Sequence, residues 1–391
     1  MSELSLRAAK DGETDNTMIS HYHFATLHAP AFADIAMKWQ ALALRSEPNF
    51  FLQWPWIGRW LTTFKPSRYH LVEAKFGADI VGLAILVEHI EWRHGCFRAK
   101  QLCLHRTGIA TNDEIWIEYN DFLLDSDHAP ALRSQMFRYI CDNLVFDELV
   151  FGVADSRLIA NLPEIGQLRR EDIWQANAYC VRFHDEATAP FDGYLSANSR
   201  YQIKRSLKLY PEYQFQVACD QEQAADWLPD IARLHQLRWP QSGFRLAGFT
   251  EFHQQMIEHG IADGSVQLIK ITLDATTRVY LYNFISAGKV YFYLSAIAEP
   301  AGLTAGSNKA KPGLVAHYLA IDFYKKQGFV AYDFMGGEAR YKASFANEIT
   351  ELCITRFQRP LPLLRIEHWL KQLKTQWYKW RQKNKSDSSQ M

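Results

Sequence analysis

Near the C-terminal end of the chain, Lys309, Lys311, Pro312 and Gly313 open an apolar run that continues to Lys326. It is followed by Tyr332-Asp333-Phe334-Met335-Gly336-Gly337-Glu338-Ala339-Arg340-Tyr341-Lys342. The spacing predicts a Tyr-rich strand from Tyr291, a helix from Pro312, and a second strand ending in the glycine pair. A helix N-terminus presents unpaired backbone N–H groups and a partial positive charge, so this order of elements suits a ligand that carries phosphate. Pro312 fits the first helical position, Gly313 lets another group approach the backbone, and the two lysines add charge to the same mouth.

The rest of the chain limits what such a site belongs to. A length of 391 residues favours two domains over one, and 48% hydrophobic with 14% aromatic residues gives material for two buried cores. No window holds the roughly 18 consecutive apolar residues of a membrane span. Met1 to Asn16 is polar and charged, without the apolar centre of a secretory signal, and is expected to be a disordered lead-in. Equal numbers of acidic and basic residues, 43 of each, argue against a chain that coats DNA or RNA. The six cysteines are scattered, without the two-residue spacing of a zinc or redox motif, and the fourteen histidines include no zincin pattern. No metal and a reducing cytoplasm are the expectations.

Similar grammar is used twice along the chain. In the first half, Asn49 to Trp60 is predicted as a short aromatic helix, and Tyr69 to Lys75 and Asp79 to His89 as strands joined by Phe76-Gly77-Ala78. Glu114 to Leu124 is predicted as a further strand, Pro130 to Leu144 as a helix and Glu148 to Val153 as a buried strand. In the second half, helices are expected over Asp192 to Leu209, Asp226 to Leu237 and Phe249 to His259, the last stopped by Gly260. Strands are expected over Val266 to Leu273, Arg278 to Ser286 and Lys289 to Ser295. Pro130 to Val153 matches Pro312 to Gly337 in pattern without residue identity, which predicts a tandem repeat with its boundary near Ala187 to Phe191. The expected organisation is a lead-in over 1–19, domains over 20–186 and 190–360, and a basic amphipathic helix and tail over 361–391.

Tyr291-x-Tyr293, then Pro312-Gly313-Leu314, then Asp333-Phe334-x-x-Gly337-Glu338-x-x-Tyr341-Lys342 resembles the acetyltransferase domain of the cellulose-biosynthesis-associated type. That group belongs to the GNAT superfamily of N-acetyltransferases and is close to the Fem peptidyltransferases. Leu195-Ser196-x-x-Ser199-Arg200-x-x-Ile203-Lys204-Arg205, His235-x-x-Arg238-Trp239-x-x-x-Gly243 and Glu118-Tyr119-Asn120-Asp121-Phe122-Leu123 also look like family segments. The resemblance implies an α/β (α+β) fold of two tandem GNAT-like domains, each a mixed, mostly antiparallel sheet flanked by helices. It also implies acyl transfer from acyl-CoA to an amine or hydroxyl, with the working site in the second domain.

Within that frame Lys311, Pro312, Gly313, Leu314 and Lys342 are expected to hold the donor, Glu338 to act as general base and Tyr341 as acid. Arg200, Arg238, Trp239, Tyr293 and Asp333 are expected at the acceptor, a small molecule or glycan, while Glu118 and Asp121 could line the cleft between the halves. No cysteine or serine stands beside a convincing base, which favours direct transfer over a covalent enzyme. A Fem-like peptidyltransferase using aminoacyl transfer RNA is the alternative enzyme, and an accessory protein of polysaccharide synthesis or export the non-catalytic one. Leu363, Ile366, Trp369, Leu370, Leu373, Trp377 and Trp380 form a helical stripe among many Lys and Arg residues. Two roles fit it, a terminal helix docked on the second domain and peripheral membrane contact through residues 361–385.

Overall fold

The computed structural model describes residues 22–93, 97–184, 189–275, 278–298, 310–367 and 369. The expected lead-in, Lys309 and most of the C-terminal segment lie outside the described residues. The first half runs β1 (Tyr22–His28), α1 (Phe32–Ser46), α2 (Trp54–Phe64), β2 (Tyr69–Phe76), β3 (Asp79–Arg93), β4 (Phe97–Leu104), β5 (Leu123–Leu124), α3 (Ala129–Asn143), β6 (Glu148–Asp155), α4 (Ser156–Ala160) and β7 (Arg169–Arg182). The second continues with α5 (Ala197–Leu207), β8 (Gln214–Val217), α6 (Gln221–Arg238), α7 (Ala247–Asp263), β9 (Val266–Thr272), β10 (Arg278–Ser286), β11 (Lys289–Ala298), α8 (Pro312–Lys326), β12 (Ala331–Gly336), α9 (Arg340–Phe345) and β13 (Glu348–Gln358).

All the strands join one mixed sheet, in the order β1-β2-β3-β4-β6-β13-β7-β12-β11-β10-β9-β8, with β5 added beside β3. The predicted repeat is visible in its middle. In each half an antiparallel pair is followed by a crossover helix and a strand parallel to the second member: β3-β4-α3-β6, then β10-β11-α8-β12. Both parallel contacts are brief, Gln101 to Cys103 against Glu148 to Val150 and Lys289 to Tyr291 against Ala331 to Asp333. The strand that follows each unit then pairs with the other half. β7 lies against β12, β13 lies against β6, and β7 and β13 pair with each other over eleven residue pairs, enough to make the join between halves continuous sheet.

Packing joins the halves as firmly as hydrogen bonds do. One apolar cluster mixes α1, α2 and the 310 turn Phe50–Leu52 of the first half with α6, α7, β10 and β11 of the second. Phe50 stacks on Phe284 with centroids 4.4 Å apart, and Trp56 meets Phe252 edge-on at 4.8 Å. Rings of this size, fully removed from water, each contribute about 1.5–3 kcal/mol. Two further clusters belong mainly to one half each, around α3 and around α8. The two expected cores are therefore accompanied by a shared third.

Two local expectations are corrected. Glu114 to Leu124 is not a strand, because the Asp113 carboxylate gathers the Thr107 and Gly108 N–H groups and the Thr107 hydroxyl. Trp116 and Tyr119 then turn the chain at φ of 54° and 52°. Only Leu123 and Leu124 pair, with Leu83 and Gly82. The helix expected to stop at Gly260 runs on to Asp263 and ends at Gly264, whose φ of 77° is the left-handed stop. Gly260 instead allows close approach to β9, since a Cβ there would meet Val266 Cγ2 at 2.3 Å. Gly260→Ala should lower stability by about 1–2 kcal/mol in urea unfolding, because the overlap outweighs the roughly 1 kcal/mol that alanine adds to a helix.

Candidate active site

The parting of β11 from β12 creates the site. Beyond Tyr291 and Asp333 the two strands form no further pairs, and a bulge between Asp333 and Gly336, with Met335 at φ 61°, carries β12 away. The wedge opens into a cavity of about 520 Å³. Tyr293 and Leu294 line it from β11, Phe334, Met335 and Gly336 from β12, and Lys342 from α9. His235 and Trp239 close one side, and Glu114, Trp116 and Glu118, all from the first half, reach in from the other.

Glu118 is the chemical centre of this wall. It is 2% exposed and accepts two hydrogen bonds, from the Gly336 N–H at 2.8 Å and from Trp116 Nε1 at 2.9 Å. Burial, reinforced by the nearby Asp333 carboxylate, outweighs these bonds and the attraction of Lys342, and pushes the Glu118 carboxyl up to about 7. Lys342 donates to the Gly336 carbonyl at 2.7 Å, and burial pulls its ammonium below the usual lysine range. A carboxyl poised near neutrality beside a cation, on a cavity wall, has the properties of a general base.

Buried hydrogen bonds hold the surrounding groups in place. Tyr293 donates to the Ile115 carbonyl at 2.9 Å and meets His253 Nε2 at 3.0 Å, while His253 Nδ1 contacts the Tyr282 hydroxyl at 3.2 Å. Burial lowers His253 to about 3, so that it stays neutral. His235 Nδ1 lies 2.7 Å from Ser242 Oγ, and burial lowers its imidazole as well.

Of the residues expected from sequence, Trp239, Tyr293 and Lys342 meet at this cavity. Glu338 is not among its lining residues. It accepts from the Tyr179 hydroxyl at 2.7 Å and from the Asn177 side chain and backbone at 3.1 and 3.2 Å. Those bonds, the Tyr179 one foremost, hold its carboxyl below the usual range and fasten the loop after β12 to β7. Tyr341 stacks on His317 at 5.1 Å, and burial raises its phenol to about 12. Asp333 is 1% exposed; it accepts from the Tyr119 hydroxyl of the first half and pairs with Lys289 of the neighbouring strand β11, both at 2.7 Å.

Pro312, Gly313 and Leu314 form the first turn of α8, with Lys311 before it donating to Gln202 Oε1 at 2.8 Å. Arg200 donates to the Asp192 carbonyl at 3.2 Å, and Arg238 lies 5.8 Å from the Trp239 ring centre. Among the described residues no group of three or more His, Cys, Asp and Glu side chains could hold a metal ion.

The wedge between parallel strands, faced by a crossover helix and a buried acid, lies within the part of the chain that resembles known proteins in sequence or completes it from the first half. Residues 195–343 match the family described as the acetyltransferase (GNAT) domain. Across nearly the whole chain the fold is similar to that of FemX, with a TM-score of 0.54 at 10% identity over 88% of this chain and 99% of FemX. L-PGS from Bacillus licheniformis aligns with a TM-score of 0.48 at 11% identity, covering 86% of this chain and 95% of its own. A tandem GNAT protein from the clavulanic acid biosynthesis pathway aligns at 0.42 and 11%, covering 87% and 99%. Among curated proteins no sequence matches this chain.

Proposed function

We propose that this protein is a cytoplasmic acyltransferase that moves an acyl group from acyl-CoA to an amine or hydroxyl of an acceptor held in the β11–β12 cavity. The observation that carries this is Glu118, a buried carboxyl near neutrality on the wall of a wedge whose strand edges are open. Those edges fit an extended, amide-bearing arm, which can add hydrogen bonds as a further strand would. The α8 N-terminus and Lys311 suit the phosphates at the far end. The thioester supplies an acyl carbon open to attack and a thiolate leaving group. Glu118 takes the proton of the attacking amine or hydroxyl, and Lys342 beside it favours the ionised carboxylate from which the base acts. Tyr341, protonated at neutral pH, is the candidate proton donor to the thiolate. Trp116, Trp239 and Tyr293 give the acceptor an aromatic wall of the kind sugars and apolar amines use, in keeping with a role in cell-envelope or polysaccharide synthesis.

Thermal unfolding with and without acyl-CoA tests the donor. Saturation at a hundred times the Kd stabilises by about 2.7 kcal/mol, a rise of several degrees, and release of free thiol on adding an amine acceptor then separates catalysis from binding. No shift with acetyl- or longer acyl-CoA would exclude that donor. The second reading is aminoacyl transfer RNA as donor, favoured by the Arg200, Lys204, Arg205 and Lys208 cluster on and just after α5. It requires transfer RNA binding that weakens steeply with salt.

A further inference from the structure

We infer that the apolar stripe begun by Leu363, Ile366 and Trp369 docks this protein on an anionic membrane surface. Residues 362–367 are helical, and their position is fixed from the inner side. Leu364 is buried, Glu367 pairs at 2.5 Å with Arg93, and Arg93 reaches the fully buried Glu148 at 2.6 Å. Arg365 donates to Gln167 at 2.9 Å, and just upstream Arg359 donates to the Phe146 carbonyl at 3.1 Å.

With that side held, the other presents Leu363 and Ile366, each 54% exposed, and Trp369, 61% exposed. Among the described residues, these three large apolar side chains at a three-residue spacing stay largely turned to water beside a firmly seated face.

The sequence beyond gives the stripe its partner. In the sequence, Leu370, Leu373, Trp377 and Trp380 continue the three- and four-residue spacing of Leu363, Ile366 and Trp369. Between residues 361 and 385 there are seven Lys and Arg side chains and a single carboxylate, Glu367, itself engaged by Arg93. Tryptophan prefers the membrane interface, and each Lys or Arg held near an anionic surface adds about 1 kcal/mol. An apolar stripe flanked by cations complements an anionic bilayer in both respects, whereas a groove on another protein would not require the excess charge.

The test is co-sedimentation of the full chain with vesicles of phosphatidylglycerol and phosphatidylcholine, against vesicles of phosphatidylcholine alone. The variant is Leu363→Ala/Ile366→Ala/Trp369→Ala, which leaves Leu364 and Glu367 in place, with circular dichroism to confirm folding. The wild-type chain is expected to sediment with the anionic vesicles, to be released by high salt, and to lose at least about tenfold in partitioning in the variant. Absence of binding to anionic vesicles, or equal binding by the variant, would overturn the inference. So would concentration-dependent self-association without vesicles that the variant lacks, which would assign the stripe to a second copy of the chain.

Discussion

Glu118→Gln is expected to reduce kcat by about 10²- to 10⁴-fold, the range over which a positioned general base acts. The pH dependence separates this from a structural effect. With the carboxyl at about 7, kcat/KM of the wild-type enzyme should rise with pH through neutrality and level off above it, and the rise should vanish in the variant. Trp116→Phe removes one of the two donors that favour the carboxylate, so it should move the same limb to higher pH while leaving a working enzyme.

Stability provides a second readout of opposite sign. Because the folded protein holds the Glu118 proton to higher pH than the unfolded chain, the unfolded state ionises first between about 4.5 and 7 and is favoured as pH rises. The glutamine variant carries no such charge, so at neutral pH it should be at least as stable as the wild type while nearly inactive. An inactive variant that is also less stable at pH 7, or a wild-type profile flat from pH 5 to 8, would remove Glu118 from the chemistry.

The second large effect is expected where β11 meets β12, beside the Tyr119 contact from the first half. Asp333 Oδ2 takes Lys289 Nζ and the Tyr119 hydroxyl, both at 2.7 Å, and Oδ1 takes the Met335 N–H at 2.7 Å. Burial opposes the charge on Lys289, yet the Asp333 carboxylate holds its ammonium above the usual lysine range. Lys289→Met strands a carboxylate that is 1% exposed, at a cost of about 3–5 kcal/mol in urea unfolding. Asp333→Asn added to Lys289→Met removes the stranded charge and should recover much of that loss, because a neutral pair costs far less to bury. If the double variant is no more stable than the single one, the stranded Asp333 charge is not the cause of the loss.

Much of this was legible from residue types, and the gaps have physical causes. The α8 boundaries are those that Pro312 and the apolar period to Lys326 predict, because a helix start with proline at its first position is a local property. The parallel strands on either side of each crossover helix follow from the same kind of local pattern. The position of the proposed proton acceptor is different. Glu338 follows the glycine pair and seemed aimed at the wedge, but its direction is set by Asn177 and Tyr179, about 160 residues earlier in the chain.

Glu118 is legible in the sequence as a candidate, with Asp121, for the cleft between the halves, but on a segment whose alternation suggests a strand and with no sign of a role as base. What takes it to the cavity is two left-handed residues, Trp116 and Tyr119, in a loop gathered by Asp113. Neither Trp nor Tyr announces that conformation, so sequence pattern had no means of showing it.

The reciprocal placing of β7 and β13 bears on how the protein is made. When the first half leaves the ribosome, the inner edge of β6 has no partner, because β13 lies almost two hundred residues downstream and is the last strand among the described residues. β7 is equally early for β12. The apolar residues of both strands must therefore remain available, without having paired wrongly, until nearly the whole chain has emerged. Completion of the sheet is a late, long-range event of the kind that folds slowly and exposes strand edges on the way. Each half separated from the other would lose a strand that its own sheet pairs with, β13 beside β6 in one and β7 beside β12 in the other.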